Sequence, residues 1–392
     1  MKKMINKSAA LIICLLMFLE ISGCGGASSG GNEYVFETDN QYNLPYTYAT
    51  AFAQADTGLY VLRDCFLYYI EDGKTVVPLC TKADCMHTFG SDECSAWMGF
   101  ARNLFYYNGY LYIISETESY TENVTYDLKK YTLKGEYVKT LATLPGSLQN
   151  VIQHRGKLYY SYYAEVADAN EDVMGIPTYA CVSLQGGKEQ ILYQSEDYTA
   201  YLGNFKAYGE QVYALESIIN AENLTADTRI MIYNIESKQM SSLDDVGEVY
   251  PYDGGLLFYK NDGAERELYL SPLDGTDVQP MSLKLEYEAG LCCAFDDYLI
   301  EENIMDYTND SIEDGTYQQQ FVVYKDGQLL TRFMLSDVDG TDYSGGKCSL
   351  FQVTDEAIYV LGKSGHSVDL IYIDRSALEQ GSLKTERICT WG

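Results

Sequence analysis

The chain has 392 residues, with 57 acids against 27 bases for a formal charge of -30, 38 tyrosines, 11 cysteines and 3 histidines. This balance argues against a nucleic-acid binder, because neutralising phosphates takes clustered Lys and Arg, and a hydrophobic content of 46% argues against disorder. The tyrosine excess points to strands, on which a ring is buried while its hydroxyl reaches water.

From the N-terminus, Lys2, Lys3 and Lys7 precede an apolar stretch from Ser8 to Leu19. That stretch is shorter than the about 20 residues of a transmembrane helix and has the pattern of a secretory signal. Ile21-Ser22-Gly23-Cys24 resembles the lipobox of bacterial lipoproteins, which implies cleavage before Cys24 once its sulfur carries diacylglycerol. Removing residues 1–23 takes away three lysines and Glu20 and leaves a charge of -32. Residues 24–44 then hold the lipidated cysteine and a tether that opens with the flexible run Gly25 to Asn32. Residues 45–392 form one domain, expected as a monomer on the extracytoplasmic face of the cell membrane. Glu33 to Glu37, reading EYVFE, is a candidate strand for closing a ring of repeats.

An internal repeat organises that domain. A turn residue followed by an apolar-aromatic pair recurs seven times, around Tyr60, Tyr112, Tyr159, Tyr213, Leu257, Leu299 and Tyr359. A second apolar run follows each, such as Leu67 to Ile70 and Ile371 to Ile373, and then a hairpin turn such as Asp72-Gly73, Lys134-Gly135, Gly186-Gly187, Asp274-Gly275 or Asp326-Gly327. Four antiparallel strands in a unit of about 50 residues make a propeller blade. Such a sheet cannot bury both faces alone, so units stack around an axis. The expected fold class is all-β, a seven-bladed propeller, with six or eight blades as alternatives.

After the first unit, PLCTKADCMHTFGSDECSAW places Cys80, Cys85, His87 and Cys94 at C-x4-C-x-H-x6-C spacing, within an insert at 80–97. Three thiols and an imidazole suit a tetrahedral structural zinc, which would staple a segment too short to own a core. The other reading is disulfide bonding, with Cys65, Cys80, Cys85 and Cys94 forming two bridges in one of three pairings. The remaining cysteines, Cys181, Cys292, Cys293, Cys348 and Cys389, fall in strand-like contexts as small buried hydrophobes.

Together the lipobox, the repeated G-x-LYY units and the PLC-x4-C-x-H-x6-C segment resemble a large group of surface lipoproteins of anaerobic Gram-positive bacteria. The resemblance covers essentially the whole mature chain. It implies a β-propeller and a surface location, favours metal over disulfide, and carries no substrate or catalytic residue.

Longer segments separate the second and third strands of four units, at Glu116 to Tyr126, Ala164 to Thr178, Glu216 to Thr228 and Glu301 to Tyr317. In a propeller these leave one face together with the blade connections, and long loops in a compact repeat tend to carry function. They are acidic and aromatic, with Tyr120 and Glu122, Glu171 and Asp172, Asp306, Tyr307, Asp310, Glu313 and Asp314 as candidate ligand contacts. Asp337-Val338-Asp339-Gly340-Thr341-Asp342 offers alternating oxygens but departs from the order of calcium loops, and reads as an acidic turn. No histidine triad or phosphate loop is present in the sequence, so no catalytic residue is assigned and no cofactor beyond the structural zinc is expected. The expected function is a binding or scaffolding propeller whose acidic face meets an envelope protein, peptide or glycan. The alternatives are an exported carbohydrate-active or lyase-type enzyme using paired carboxylates, and an accessory subunit of an envelope complex.

Overall fold

A computed structural model describes residues 31–392 apart from 42–49, 92, 118–123, 168–172, 221–224, 261–266, 284, 286–290, 296, 306–317, 336 and 344–347. Seven four-stranded antiparallel sheets follow one another along the chain. They are blades 1 to 7, over residues 50–78, 101–144, 151–194, 201–244, 246–280, 291–333 and 348–391. Each is built from one contiguous segment with its strands in sequence order, so the fold is a seven-bladed β-propeller. No helix among the described residues is long and apolar enough to cross a membrane.

The seven sequence repeats are the second strands of the blades, and their alternation explains the ring. Successive side chains on a strand point to opposite sheet faces. In Gly58–Arg63, Tyr60 and Leu62 pack toward Leu104 and Ile113 of blade 2, whereas Leu59 and Val61 pack toward Phe351 and Leu361 of blade 7. The same division recurs around the axis and yields seven inter-blade cores, the seventh joining blades 7 and 1. Tyrosine adds a hydrogen bond to this packing. The hydroxyls of Tyr60, Tyr213 and Tyr359 donate to carbonyls in the third-to-fourth-strand turn of the next blade, at Leu133 (2.9 Å), Leu273 (2.8 Å) and Gly73 (3.2 Å). The expected hairpin glycines Gly73, Gly135, Gly275 and Gly327 have φ between 67° and 79°, which glycine adopts without steric cost.

Among the described residues, no strand is exchanged between the chain ends to close the ring. Blades 1 and 7 meet through side chains, with Phe52 edge-on to Phe351 at 5.6 Å and Tyr68 edge-on to Trp391 at 5.7 Å. The candidate closing strand Glu33 to Glu37 is not a strand, because its backbone turns back on itself through Thr38 N and Asp39 N, both donating to Val35 O. Residues 32–41 instead dock on the face that carries the first-to-second and third-to-fourth-strand turns, here the turn face. Asn108 N donates to Glu37 O and Arg155 N to Thr38 O, at 2.8 and 2.7 Å, so two blades' turns hold this segment's backbone. Asp39 is bound by Arg155 Nε at 2.8 Å and Nη2 at 3.2 Å, and Asn40 N donates to Nδ1 of the buried His154 at 2.9 Å.

Candidate metal centre and recognition face

Residues 79–100 connect blades 1 and 2 on the opposite face, here the arm face. The insert is fixed by backbone pairing to the start of the third strand of blade 1. Leu67 N donates to Ala96 O and Met98 N to Cys65 O, each at 2.9 Å. Between these anchors the chain runs through successive turns, Cys85 N to Lys82 O, Ser91 N to Thr88 O and Cys94 N to Ser91 O. His87 takes a left-handed conformation with φ 48°, a strained geometry for a residue with a β-carbon, of the kind that clusters at ligand clamps. The insert's core consists of Phe66, Cys94 and Ala96, with Tyr68, Cys80, Cys85 and Trp97 packed against it.

These turns bring Cys80, Cys85, His87 and Cys94 together, with one ligand atom from each lying within 4.8 Å of the others. His87 Nδ1 is 3.4 Å from Cys94 Sγ, and Cys94 Sγ is 4.0 Å from Cys80 Sγ. A tetrahedral zinc with Zn–S bonds of about 2.3 Å has ligand–ligand edges of about 3.8 Å, so the four residues fit the group the spacing suggested. Burial pushes the Cys80 thiol up, but hydrogen bonds from the Ser95 hydroxyl and from the backbone N–H groups of Lys82 and Ser95 outweigh it and bring the thiol down to about 6. Burial and the neighbouring Cys85 push Cys94 the other way. A thiolate at Cys80 at neutral pH is the form that ligates a metal. Cys65 stands outside the group, in the tight turn before the third strand of blade 1, with its Sγ 3.7 Å from Ala101 O. All described cysteines are free thiols, and Cys181, Cys293 and Cys348 are buried as expected.

The second candidate site fares differently. Tyr120, Glu122, Glu171, Asp172, Asp306, Tyr307, Asp310, Glu313 and Asp314 lie outside the described residues, as does Cys24. The strand ends around the first nine are described: in blade 2 the strands stop at Glu116 and Tyr126 as expected, and in blades 3, 4 and 6 they correct the expected loops. In blade 3 the ladder runs unbroken from Lys157↔Ser183 to Ala167↔Val173, where a loop from Ala164 to Thr178 was expected. In blade 4 it runs to Asn220↔Thr225, where a loop from Glu216 to Thr228 was expected. Blades 3 and 4 thus project long hairpin arms. The second and third strands of blade 6 likewise pair out to Met305↔Gln318.

The ladder also re-assigns a carboxylate. Glu216, expected on the acidic loop face, is buried with its side chain at 0% exposure and paired with Arg229 Nε. It accepts from Ser195 Oγ at 2.6 Å and Tyr193 hydroxyl at 3.0 Å, so it binds blade 4 to blade 3. Its position shows why. It continues the face of Val212 and Ala214, which packs on blade 3, and that alternation was readable in the sequence. Glu301 is likewise buried, and within blade 6 it accepts from the Tyr324 hydroxyl at 2.9 Å. The Asp337 to Asp342 segment is a two-residue hairpin. Asp339 accepts from Arg387 N at 2.8 Å, so it ties the acidic turn to the last strand of blade 7.

No protein-family model matches the chain, and no curated protein matches it. Among solved structures it is similar to a prolyl endopeptidase, with a TM-score of 0.54 at 12% identity over 91% of this chain and 50% of that one. It is also similar to the β-propeller domain of the Trilobed protease from Pyrococcus furiosus, with a TM-score of 0.46 at 10% identity over 73% of this chain and 82% of that one. An acylaminoacyl peptidase follows with a TM-score of 0.48 at 9% identity over 75% of this chain and 46% of that one. The chain spans half the length of the prolyl endopeptidase, and at these identities the likeness is one of fold alone.

Proposed function

We propose that this protein is a lipid-anchored extracytoplasmic propeller that acts as a binding or scaffolding module through the acidic arms of one face. The observation that carries the reading is the opposition of two faces. Residues 32–41 dock on the turn face, and the long hairpins of blades 3, 4 and 6 leave the arm face. In this reading the tether from a lipidated Cys24 enters the domain at residue 32, on the face opposite the arms. The buried carboxylates of Glu216 and Glu301 are engaged structurally, Glu216 by Arg229, Ser195 and Tyr193, and Glu301 by Tyr324. In this reading Cys80, Cys85, His87 and Cys94 hold a structural zinc that braces the insert beside the arms.

The full chain in detergent is tested for retention of cationic peptides and purified wall glycans, with and without amide substitutions at Glu171, Asp172, Asp310, Glu313 and Asp314. The expected result is retention of a cationic peptide that weakens steeply with salt and is lost in the substituted chain. Unchanged retention after substitution rejects the arm face. Glycan hydrolysis abolished by the same substitutions would establish an enzyme instead.

A further inference from the structure

Three aromatic side chains stand together on the outside of the insert. Phe89 is 62% and Phe100 48% exposed, and Trp97 is half-buried beside them. Their ring centroids lie 4.4 Å apart for Phe89 and Trp97 and 6.2 Å apart for the other two pairs, with interplanar angles of 66°, 67° and 76°. Pairwise angles this steep make a corner of three planes, not a stack. The corner is held at two points. Trp97 bridges to Phe66 in the third strand of blade 1 and packs on its ring at 5.2 Å, and Phe100 O accepts from Glu116 N of the second strand of blade 2 at 3.0 Å.

Single exposed apolar residues need no explanation, but contiguous ones mark interaction sites, and the chemistry of the rings selects the ligand. Aromatic faces carry negative quadrupole density and attract a cation within about 6 Å of the ring centroid. The surroundings add to this attraction. Residues 79–100 hold one lysine against three acids, and the whole chain has a formal charge of -30, which favours cations at long range. The kind of cation follows from hydrogen bonding. A primary ammonium brings three N–H donors, whereas a phenyl ring has no acceptor atom and an indole only a donor. A quaternary methylammonium has no donor to satisfy, so rings alone can hold it without leaving a polar group unpaired.

We propose that Phe89, Trp97 and Phe100 form a binding site for a quaternary methylammonium group of the choline type, seated in the corner against the three rings. The site uses none of the arm carboxylates and none of the four side chains of the cysteine cluster, and it does not depend on the lipid anchor.

The test is calorimetric titration of the full chain in a maltoside detergent, at constant ionic strength, with choline and with neohexanol, the neutral alcohol in which carbon replaces the charged nitrogen. Choline is expected to bind at a single saturable site at least tenfold more tightly than neohexanol. Phosphocholine is run beside them: binding as tight as that of choline supports a headgroup or polymer-borne ligand, and weaker binding supports free choline. A Phe89→Leu, Phe100→Leu variant keeps the apolar area but not the ring quadrupoles, and is expected to lose at least tenfold in choline affinity with little change for neohexanol. The wild-type comparison of choline with neohexanol stands even if the variant does not fold. No saturable choline binding, equal affinity for choline and neohexanol, or undiminished choline binding in a folded Phe89→Leu, Phe100→Leu chain would each overturn the proposal.

Discussion

Arg155→Met tests how firmly the N-terminal segment is held. Arg155 and Asp39 are 8% and 1% exposed in their side chains and share two charged hydrogen bonds, at 2.8 and 3.2 Å. Methionine keeps the hydrophobic stem but removes the guanidinium, leaving Asp39 with Val35 N and Thr38 Oγ1 as hydrogen-bond donors. Removing one member of a buried ion pair costs about 3–5 kcal/mol, because the other charge stays desolvated. For a domain of about 360 residues, unfolding entropy of about 2.1 cal/mol/K per residue sums to about 0.76 kcal/mol/K, which converts that loss into about 4–7 °C of Tm. If the segment detaches instead, the loss is capped at its own docking free energy, and residues 32–41 become cleavable by protease while Tm falls less. Differential scanning calorimetry and limited proteolysis together distinguish the two. A paired Asp39→Leu, Arg155→Met variant is expected to recover part of the loss, since no charge remains buried. A Tm within about 1 °C of wild type with the segment still protected would refute the reasoning.

Burial holds His154 at about 4, below its ordinary 6.5. Its Nδ1 accepts from Asn40 N and its Nε2 bonds Gly209 O at 2.8 Å, which is the neutral tautomer with the proton on Nε2. The unfolded state therefore binds the proton first. Its contribution is complete above pH 6.5 and is lost as pH falls to 4, about 3 kcal/mol across the window, and chemical denaturation at stepped pH should show that slope flattened in His154→Gln. If the cysteine cluster holds zinc, Cys80→Ser and His87→Ala should lower bound metal at least tenfold by elemental analysis and expose residues 79–100 to protease, whereas Cys65→Ser should do neither. Trp391→Ala at the closure seam should cost about 3–5 kcal/mol, and Tyr359→Phe about 0.5–1.5 kcal/mol; denaturant midpoints that leave Trp391→Ala unchanged would mean that the seam contributes nothing to the ring.

The repeat was legible because each second strand is buried on both faces. An apolar-aromatic alternation such as Leu59-Tyr60-Val61-Leu62 is demanded by both neighbouring blades at once. The cysteine cluster was legible for a similar reason: its four residues lie within fifteen positions, so local turns suffice to gather them. Charge was harder to place. An acid reads the same in sequence whether it faces water or an arginine, and Glu216 was assigned to solvent because its partners are remote in sequence, Tyr193 and Ser195 at the edge of blade 3 and Arg229 on the next strand of blade 4. The periodicity of Val212, Ala214 and Glu216 carried the answer, and strand phase is the stronger guide near the end of a buried strand.

Closure shows the limit of reasoning from strands alone. A ring of seven sheets needs its ends joined, and the Glu33 to Glu37 segment, with Tyr34, Val35 and Phe36 at its centre, suggested a shared ladder. The structure meets the same requirement by different chemistry. The side-chain carbonyl of Gln41 accepts from Gln54 N of blade 1 at 3.1 Å, while its backbone carbonyl accepts from Gln352 Nε2 of blade 7 at 2.8 Å. One residue therefore spans the seam. The segment that carries it is clamped in turn to the turns of blades 2 and 3, through Asn108 N and Arg155 N. Hydrogen bonds from these four blades converge on residues 37–41 at the axis, so ring closure and segment docking are one structural event. Releasing the segment should therefore loosen the seam first. In full-chain hydrogen exchange, Arg155→Met is expected to speed exchange in the first strands of blades 1 and 7 while leaving blade 5 at its wild-type rate, and uniform acceleration across all blades would contradict this coupling.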